Sequence, residues 1–290
     1  MSAAPSAAQS RHAYGPSALG ESFGRFWSLT VMLARTEFKL RFFGSALGYL
    51  WTLINPLMLF GVLLFVFTVV IEINRGNSVH HYAEYLLQGI IIFTYFSETT
   101  GASVTSLVAR ENLLRKVRFP RLVIPLSVAL TCFFNLCLNL VVVFIFILVS
   151  GISPRWSWLE LPLLLIPLVA LTTGVGMLLS ALYVRFRDIQ PIWSVVLQLL
   201  YYSTPILYTI ETAADHRLLG LSFARLLAIN PLGAILTQLR KAMLEPGAPS
   251  AVDAIGGAVY LLIPAGIVVG VFVLGWWYFN HSAPLIAEKL

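Results

Sequence analysis

Inside the apolar stretches of this chain few side chains could do chemistry, and Glu98 is the one acid near the middle of such a stretch. A carboxyl at that depth in hydrocarbon is costly, so it must face a protein interior, be neutral or hydrogen-bond to a neighbour. A structural polar contact and a role in moving a polar molecule are both open for it. Tyr95 and Phe96 stand beside it, while Tyr201, Tyr202 and Tyr208 stand in a later stretch next to Gln198, Ser203 and Thr204. A buried phenol needs a hydrogen-bond partner or water. A wet cavity lined by such rings would suit sugars, which offer flat C–H faces and hydroxyls. Plain aromatic packing between helices explains the same residues equally well.

Several kinds of chemistry are missing. No GxxxxGK[ST] loop occurs and no Gly-Lys dipeptide at all, so the chain cannot hold ATP phosphates in the Walker manner. There is no HExxH, no GxSxG and no clustered Asp pair of the sort a metal-dependent glycosyl transferase would need. His80 and His81 are adjacent and read as solvated neighbours rather than a metal site. Cys132 and Cys137, the only cysteines, fall inside one apolar stretch and offer neither a disulfide framework nor zinc-ligand spacing.

The elements that must position these residues are membrane helices. The chain has 290 residues, 58% apolar and 11% charged, with a mean hydropathy of +0.84, beyond what a soluble domain tolerates. A hydrocarbon core of about 30 Å takes about 20 apolar residues per helix. Six stretches meet that length, running approximately over 50–71, 85–108, 123–149, 159–184, 191–208 and 254–279. Each exceeds a barrel strand and lacks period-2 alternation, so the expected class is an all-α integral membrane protein. Residues 1–21, rich in Ala, Ser and Gly, lack the apolar core of a signal peptide and read as a disordered tail, leaving 22–290 as one transmembrane domain.

Shorter elements lie between the spans. Apolar and basic residues mingle at helical spacing over 23–43, with Glu37 and Arg41 four apart, which suits a helix lying along the membrane surface. Gly44 and Gly48 read either as a flexible elbow or as a small-residue packing contact, and Gly266 and Gly270 repeat the latter spacing. The run from Arg110 to Arg121 is dense in charge and stopped by Pro120, which predicts a short helix over about 110–119 with Glu111 and Arg115 as an i,i+4 pair. Arg187 and Asp188 make a charged pair in the tight connector over 183–189. The segment over 209–253 contains two apolar pieces, Leu218 to Ile229 and Leu232 to Leu239, each too short to cross. Asn230 suits an N-cap and Pro231 the first helical position, so the two helices should meet there and dip into the outer leaflet.

Thirteen of the 19 Lys and Arg residues fall on one side of this arrangement: five before the first span, five over 110–121, Arg185, Arg187 and Lys289. That side should be the cytoplasm, with both termini there. The formal net charge of +6 is then a mark of topology, with no nucleic-acid footprint. No internal repeat is visible.

Five segments in order and spacing carry a resemblance: Arg35 to Phe42 with Gly44 to Trp51, Glu111 to Arg121, Arg185 to Ile189, Thr204 to Tyr208, and Asn230 to Leu232. Together they resemble the permease of type-2 ABC exporters over about residues 22–280, closest to the subgroup exporting O-antigen, capsule, teichoic acid and related lipid-linked polysaccharides. The resemblance implies a homodimer of six-helix subunits in the bacterial cytoplasmic membrane, bound to two cytoplasmic ATPase subunits that hold ATP and Mg. No cofactor and no enzymatic activity belong to this chain on that reading. The coupling helix that enters a groove on the ATPase would fall on Glu111, Asn112, Arg115, Lys116 and Arg118. The pair meeting at Asn230 and Pro231 would be the re-entrant gate. Tyr95, Phe96, Glu98, Tyr201, Tyr202 and Tyr208 would border the substrate path. The Ala/Ser-rich tail departs from the family and takes no role from it. A drug or small-lipid exporter of the same superfamily, and a membrane glycosyl transferase or polymerase, are the rival readings.

Overall fold

Helix α1 (Phe23–Leu40) buries a narrow stripe, Phe26, Thr30 and Ala34, spaced four apart, while Phe23, Trp27 and Met32 stay exposed. That is the pattern of a helix lying on one surface. Its stripe packs on α5 (Val123–Val149), and the Thr131 hydroxyl donates to the Ala34 carbonyl at 3.2 Å. The computed structural model describes residues 23–41, 48–71, 81–116, 120–211, 217–218 and 221–289. The tail before Glu21, Gly44, His80 and Arg118 lie outside the described residues.

After Gly48, which adopts φ +50 with open space where a Cβ would be, α2 (Leu50–Phe65) begins, and a π turn over Val66–Val70 completes it. The left-handed backbone and the empty surroundings make Gly48 a bend rather than a packing contact. Helix α3 (Tyr82–Ala109) runs through the middle of the subunit, packed between α5 and α6 (Glu160–Arg185). Leu86, Leu87 and Ile92 on α3 are wholly buried with Leu168 of α6. Short α4 (Glu111–Lys116) follows, and α7 (Ile189–Ser203) flanks α3 with no buried residue of its own.

Four helical segments among the described residues are long and apolar enough to cross a membrane: Leu50–Val70, Val123–Val149, Trp156–Arg185 and Ala258–Ser282. Helix α3 is long enough but carries Glu84, Gln88, Glu98 and several Ser and Thr. Protein surrounds it on most sides, so its composition answers to neighbouring helices rather than to lipid.

Three expected boundaries move, each for a local reason. The stretch expected to run to Tyr208 is helical only to Ser203, because the residue before Pro205 is forced out of the helical region and Thr204 takes φ −102 and ψ 136. The last stretch does not begin as one helix at Ala254. A separate α10 (Ala251–Ile255) opens with a Ser250/Asp253 capping box and stops at Gly256 (φ 95) and Gly257 (φ 145), and α11 (Leu262–Lys289) starts afterwards. The first of the two short apolar pieces is α8 (Phe223–Ile229), with Leu218 instead in a two-residue antiparallel pairing of Arg217–Leu218 with Leu221–Ser222. The second, α9 (Pro231–Met243), begins as expected: the Asn230 side chain accepts from the Leu232 amide at 3.1 Å, and Pro231 occupies the first turn.

A very close approach between long helices involves neither Gly266 nor Gly270, each of which has open space around it. It joins α6 to α11 at Gly174 and Gly275. A methyl at Gly275 would collide with the Gly174 carbonyl, and one at Gly174 would lie 2.7 Å from the Phe272 Cα. Small residues let two backbones touch where no hydrophobic drive exists in lipid.

Candidate functional site

Polar and aromatic groups gather in two places along α3. At the end carrying α8 and α9, the first turns of α3 hold the non-helical segment Thr204 to Tyr208. The Tyr82 hydroxyl donates to the Leu207 carbonyl at 2.9 Å. The Tyr85 hydroxyl meets the Pro205 carbonyl and, at 3.0 Å, that of Tyr208. Ile206 is wholly buried against Gly89, where an added methyl would come within 3.1 Å of its side chain. The Asn230 amide donates to the Thr204 hydroxyl at 2.9 Å, so the α8–α9 junction is tied to the same segment.

Arg240 of α9, 6% exposed, closes this region. It pairs with Glu211 at 2.7 Å and Glu245 at 2.8 Å, and its guanidinium lies 5.5 Å from the centre of the Tyr85 ring. A buried cation requires such compensation. Gln238 extends the network by donating to Glu160 at 2.7 Å and accepting from the Ala251 amide at 3.2 Å. At the edge, the Ser250 hydroxyl and amide hold the exposed Asp253 carboxyl below its ordinary value.

The second place is a cavity of about 440 Å³ between the end of α1, the start of α2, and the middles of α3 and α5. Glu98 lies in its wall, ion-paired to Arg41 and accepting a hydrogen bond from the Asn135 amide at 3.3 Å. Thr52 and Asn55 of α2, Thr94 and Ser97 of α3, and Asn139 of α5 complete its polar face, with Trp51 at the rim. Glu37 does not serve as the partner of Arg41. It pairs with Arg110, which also reaches Ser127 at 3.4 Å. Burial pushes the Glu37 carboxyl up, further than the Arg110 charge and hydrogen bond pull it down.

The six residues expected along a path divide three ways. Glu98 belongs to the cavity. Tyr95 is buried between α3, α5 and α6 just behind the cavity wall at Thr94, Glu98, Asn135 and Asn139, edge-on to Phe133 at 6.3 Å and 3.5 Å from the Thr172 hydroxyl. Phe96 turns to α7, where Trp193 lies 6.3 Å away and donates to the Thr100 hydroxyl at 3.1 Å. Tyr201 stands edge-on to Phe93 at 5.0 Å and to Tyr202 at 5.5 Å. The Tyr201 hydroxyl is buried without a hydrogen-bond partner, whereas the Tyr208 hydroxyl donates to the Tyr202 carbonyl at 2.9 Å. Tyr202, 60% exposed, is the one of the six that faces outward from the subunit.

At the opposite end of α3, α4 begins directly after Arg110, and the Leu114 amide returns to the Arg110 carbonyl at 3.0 Å. Asn112 is exposed and Glu111 half-buried; Arg115 and Lys116 lie on the same helix. Arg187 packs its guanidinium 5.0 Å from the Tyr183 ring centre rather than on Asp188. Among the described residues no group of His, Cys, Asp and Glu could hold a metal ion.

Arg41, Asn55, Asn135 and Asn139 were not among the expected site residues. A signal for two of them was present: Asn135 and Asn139 stand one helical turn apart inside the most apolar stretch, and amides there need a reason.

Comparison with known proteins supports the resemblance. A family model described as ABC-2 type transporter matches residues 28–244. The chain is 32% identical over 227 residues to the O-antigen export system permease protein RfbA of Myxococcus xanthus, covering 78% of this chain and 84% of that one. It is 30% identical over 220 residues to the protein of the same name in Klebsiella pneumoniae, covering 76% and 81%. The polysialic acid transport protein KpsM of Escherichia coli is 24% identical over 216 residues, covering 73% and 79%. With the family model spanning most of the chain, and several apolar helices long enough to cross a bilayer, this multi-pass membrane protein belongs to the ABC-2 type transporter family.

Proposed function

We propose that this chain is the membrane subunit of an ATP-driven exporter that moves a lipid-linked polysaccharide across the bacterial cytoplasmic membrane. The carrying observation is its 32% identity, over 84% of the relative's length, to a protein named as an O-antigen export permease. Two copies of the chain form the pathway, and two cytoplasmic ATPase subunits bind ATP and Mg. Both termini face the cytoplasm.

Six spans are the working count. Helix α3, 28 residues long, reaches about 42 Å at about 1.5 Å per residue, ample for the bilayer core. Helix α7, with 15 residues, reaches only about 22 Å, and the turned, non-helical segment from Thr204 to Tyr208 continues it. That segment is non-helical backbone, tolerated because α3 and α9 cover it. Helices α8 and α9 form a re-entrant pair hinged at Asn230 and Pro231. The exposed apolar stripe of α7, including Ile192, Val195 and Leu199, suits contact with the second copy.

Coupling falls on Glu111, Asn112, Arg115 and Lys116 of α4, and on Arg118 after it in sequence, which meet the ATPase. Tyr202 and Tyr201, with Tyr208, Phe96 and Tyr95 behind them, border the glycan path from the α7 side, and Glu98 from the α2 side. The test is depletion of the protein followed by analysis of lipid-linked sugars. Accumulation of a lipid-linked polysaccharide inside, with loss of the same glycan at the surface, supports the reading. Unchanged surface glycan overturns it, and accumulation of a drug or a small lipid would assign the chain to another branch of the family.

A further inference from the structure

The cavity beside Glu98 has a wall whose chemistry the coupling and gating roles leave unused. Its volume of about 440 Å³ falls within the range of small-molecule sites. Its polar face consists of carboxamides and hydroxyls, among them Asn55, Asn135, Asn139 and Thr94, with the half-exposed indole of Trp51 at the rim. Asn135 is 3% exposed, and its amide nitrogen is committed to Glu98, yet its side-chain oxygen is buried without a hydrogen-bond partner. A buried acceptor left in that condition is unfavourable, and a turn of the carboxamide toward the cavity, where a donor can meet it, removes the penalty.

Charge decides what kind of donor fits. The cation on the wall, Arg41, is ion-paired to Glu98, and the next cation along α3, Arg110, is ion-paired to Glu37. The lining is therefore close to neutral. A phosphate is held by charge-assisted bonds from cations not already spent on acids. A polyol instead needs donors and acceptors side by side, which amides, hydroxyls and a carboxylate provide, and a flat aromatic face for its ring.

We infer that this cavity binds a neutral sugar unit, of mono- or disaccharide size, through Asn135, Asn139, Asn55, Glu98 and Trp51. The inference rests on the export reading for the source of the sugar, which would be the glycan itself. Binding does not require transport, so the two are measured separately.

The complex of this permease with its ATPase, purified in lipid nanodiscs, is titrated singly with galactose, mannose, rhamnose and N-acetylglucosamine and with their disaccharides, following tryptophan emission. Inorganic phosphate and glycerol 3-phosphate form the second arm. The expected result is a saturable change with at least one neutral sugar, absent in Trp51→Phe, and a midpoint raised at least tenfold in Asn135→Leu. Asn55→Leu, on an exposed position of the wall, should raise it as well and carries the test if Asn135→Leu does not fold. No saturable response to any sugar, a response to the phosphates alone, or midpoints unchanged in both Asn variants would each overturn the inference. Loss of surface glycan on depletion, with no sugar binding by the purified complex, would remove the inference and leave the export reading standing. Sugar binding with surface glycan unchanged on depletion would do the reverse.

Discussion

Arg240 and Arg41 both reach α3 from another helix and both meet carboxylates, but their surroundings differ. Arg240 is almost fully covered, held by Glu211 and Glu245 and capped by the Tyr85 ring. Arg41 is more exposed, with one acid of α3 and a cavity on the far side of the pair. The first arrangement spends its polar groups on holding α3, α9 and the Thr204 to Tyr208 segment together. The second leaves amides and hydroxyls facing open volume, with the Asn135 oxygen unmatched. Polar groups inside a membrane protein can thus serve as a lock or as a lining, and the ratio of satisfied partners to empty space tells which.

Breaking the lock should have the largest effect. Arg240→Ala strands Glu211 and Glu245 against buried surroundings and should cost about 3 kcal/mol, the lower end for a broken buried pair because both acids are partly exposed. Thermal unfolding of the detergent-solubilised protein would detect it as a large fall in midpoint. By contrast, Glu98→Gln keeps the size of the side chain and leaves Arg41 partly solvated, so its stability cost should stay near or below about 1 kcal/mol, while export falls. A cost at Glu98 equal to that at Arg240 would erase the distinction between the two regions.

A packing defect provides the scale between them. Gly174→Ala drives a methyl into the Phe272 backbone and should cost about 1–3 kcal/mol with neither polar region touched. Asn230→Ala removes the helix cap and the bond to Thr204, an effect of about 1 kcal/mol that should appear as faster hydrogen exchange over α8 and the start of α9.

The smallest effect is a difference in pH response. Asp253 is held below its ordinary value of 3.8, so its contribution is complete above that value and is lost as pH falls through the lowered one. Glu37 is held above its ordinary value of 4.5, so the folded state binds the proton more tightly and stability falls as pH rises from there through the raised value. Hydrogen exchange over 250–257 should therefore quicken in strong acid, after correction for intrinsic rates. Over 30–41 it should quicken as pH rises above 4.5. Slopes of the same sign in the two segments would contradict this assignment.

Much of the fold was legible because the bilayer imposes a length and an apolar composition. The limits of α5 were read directly from an uninterrupted run over 123–149, and the α8–α9 break from Asn230 and Pro231. The early end of α7 was also written in the sequence, since Pro205 restricts Thr204, but the apolar run past it concealed the break. Long-range pairing was not legible. Glu37 and Arg41 have the spacing of an i,i+4 pair, yet α1 turns both toward the bundle, where Arg110 and Glu98 offer them less solvated partners. The neighbours of each aromatic residue along α3 were not legible either. Adjacent positions on α3 point to different neighbours, so Tyr95 faces α6 while Phe96 faces α7.

The most direct test of the export reading is reconstitution. The permease and its ATPase are placed in liposomes with the lipid-linked glycan in the leaflet on the ATPase side, and access of a lectin to the opposite leaflet is followed. The account predicts lectin access that requires ATP and Mg, disappears with Glu111→Lys in α4, and is strongly reduced with Glu98→Gln at normal protein level. Access without ATP, or none with the intact complex and the glycan that accumulates on depletion, would contradict it.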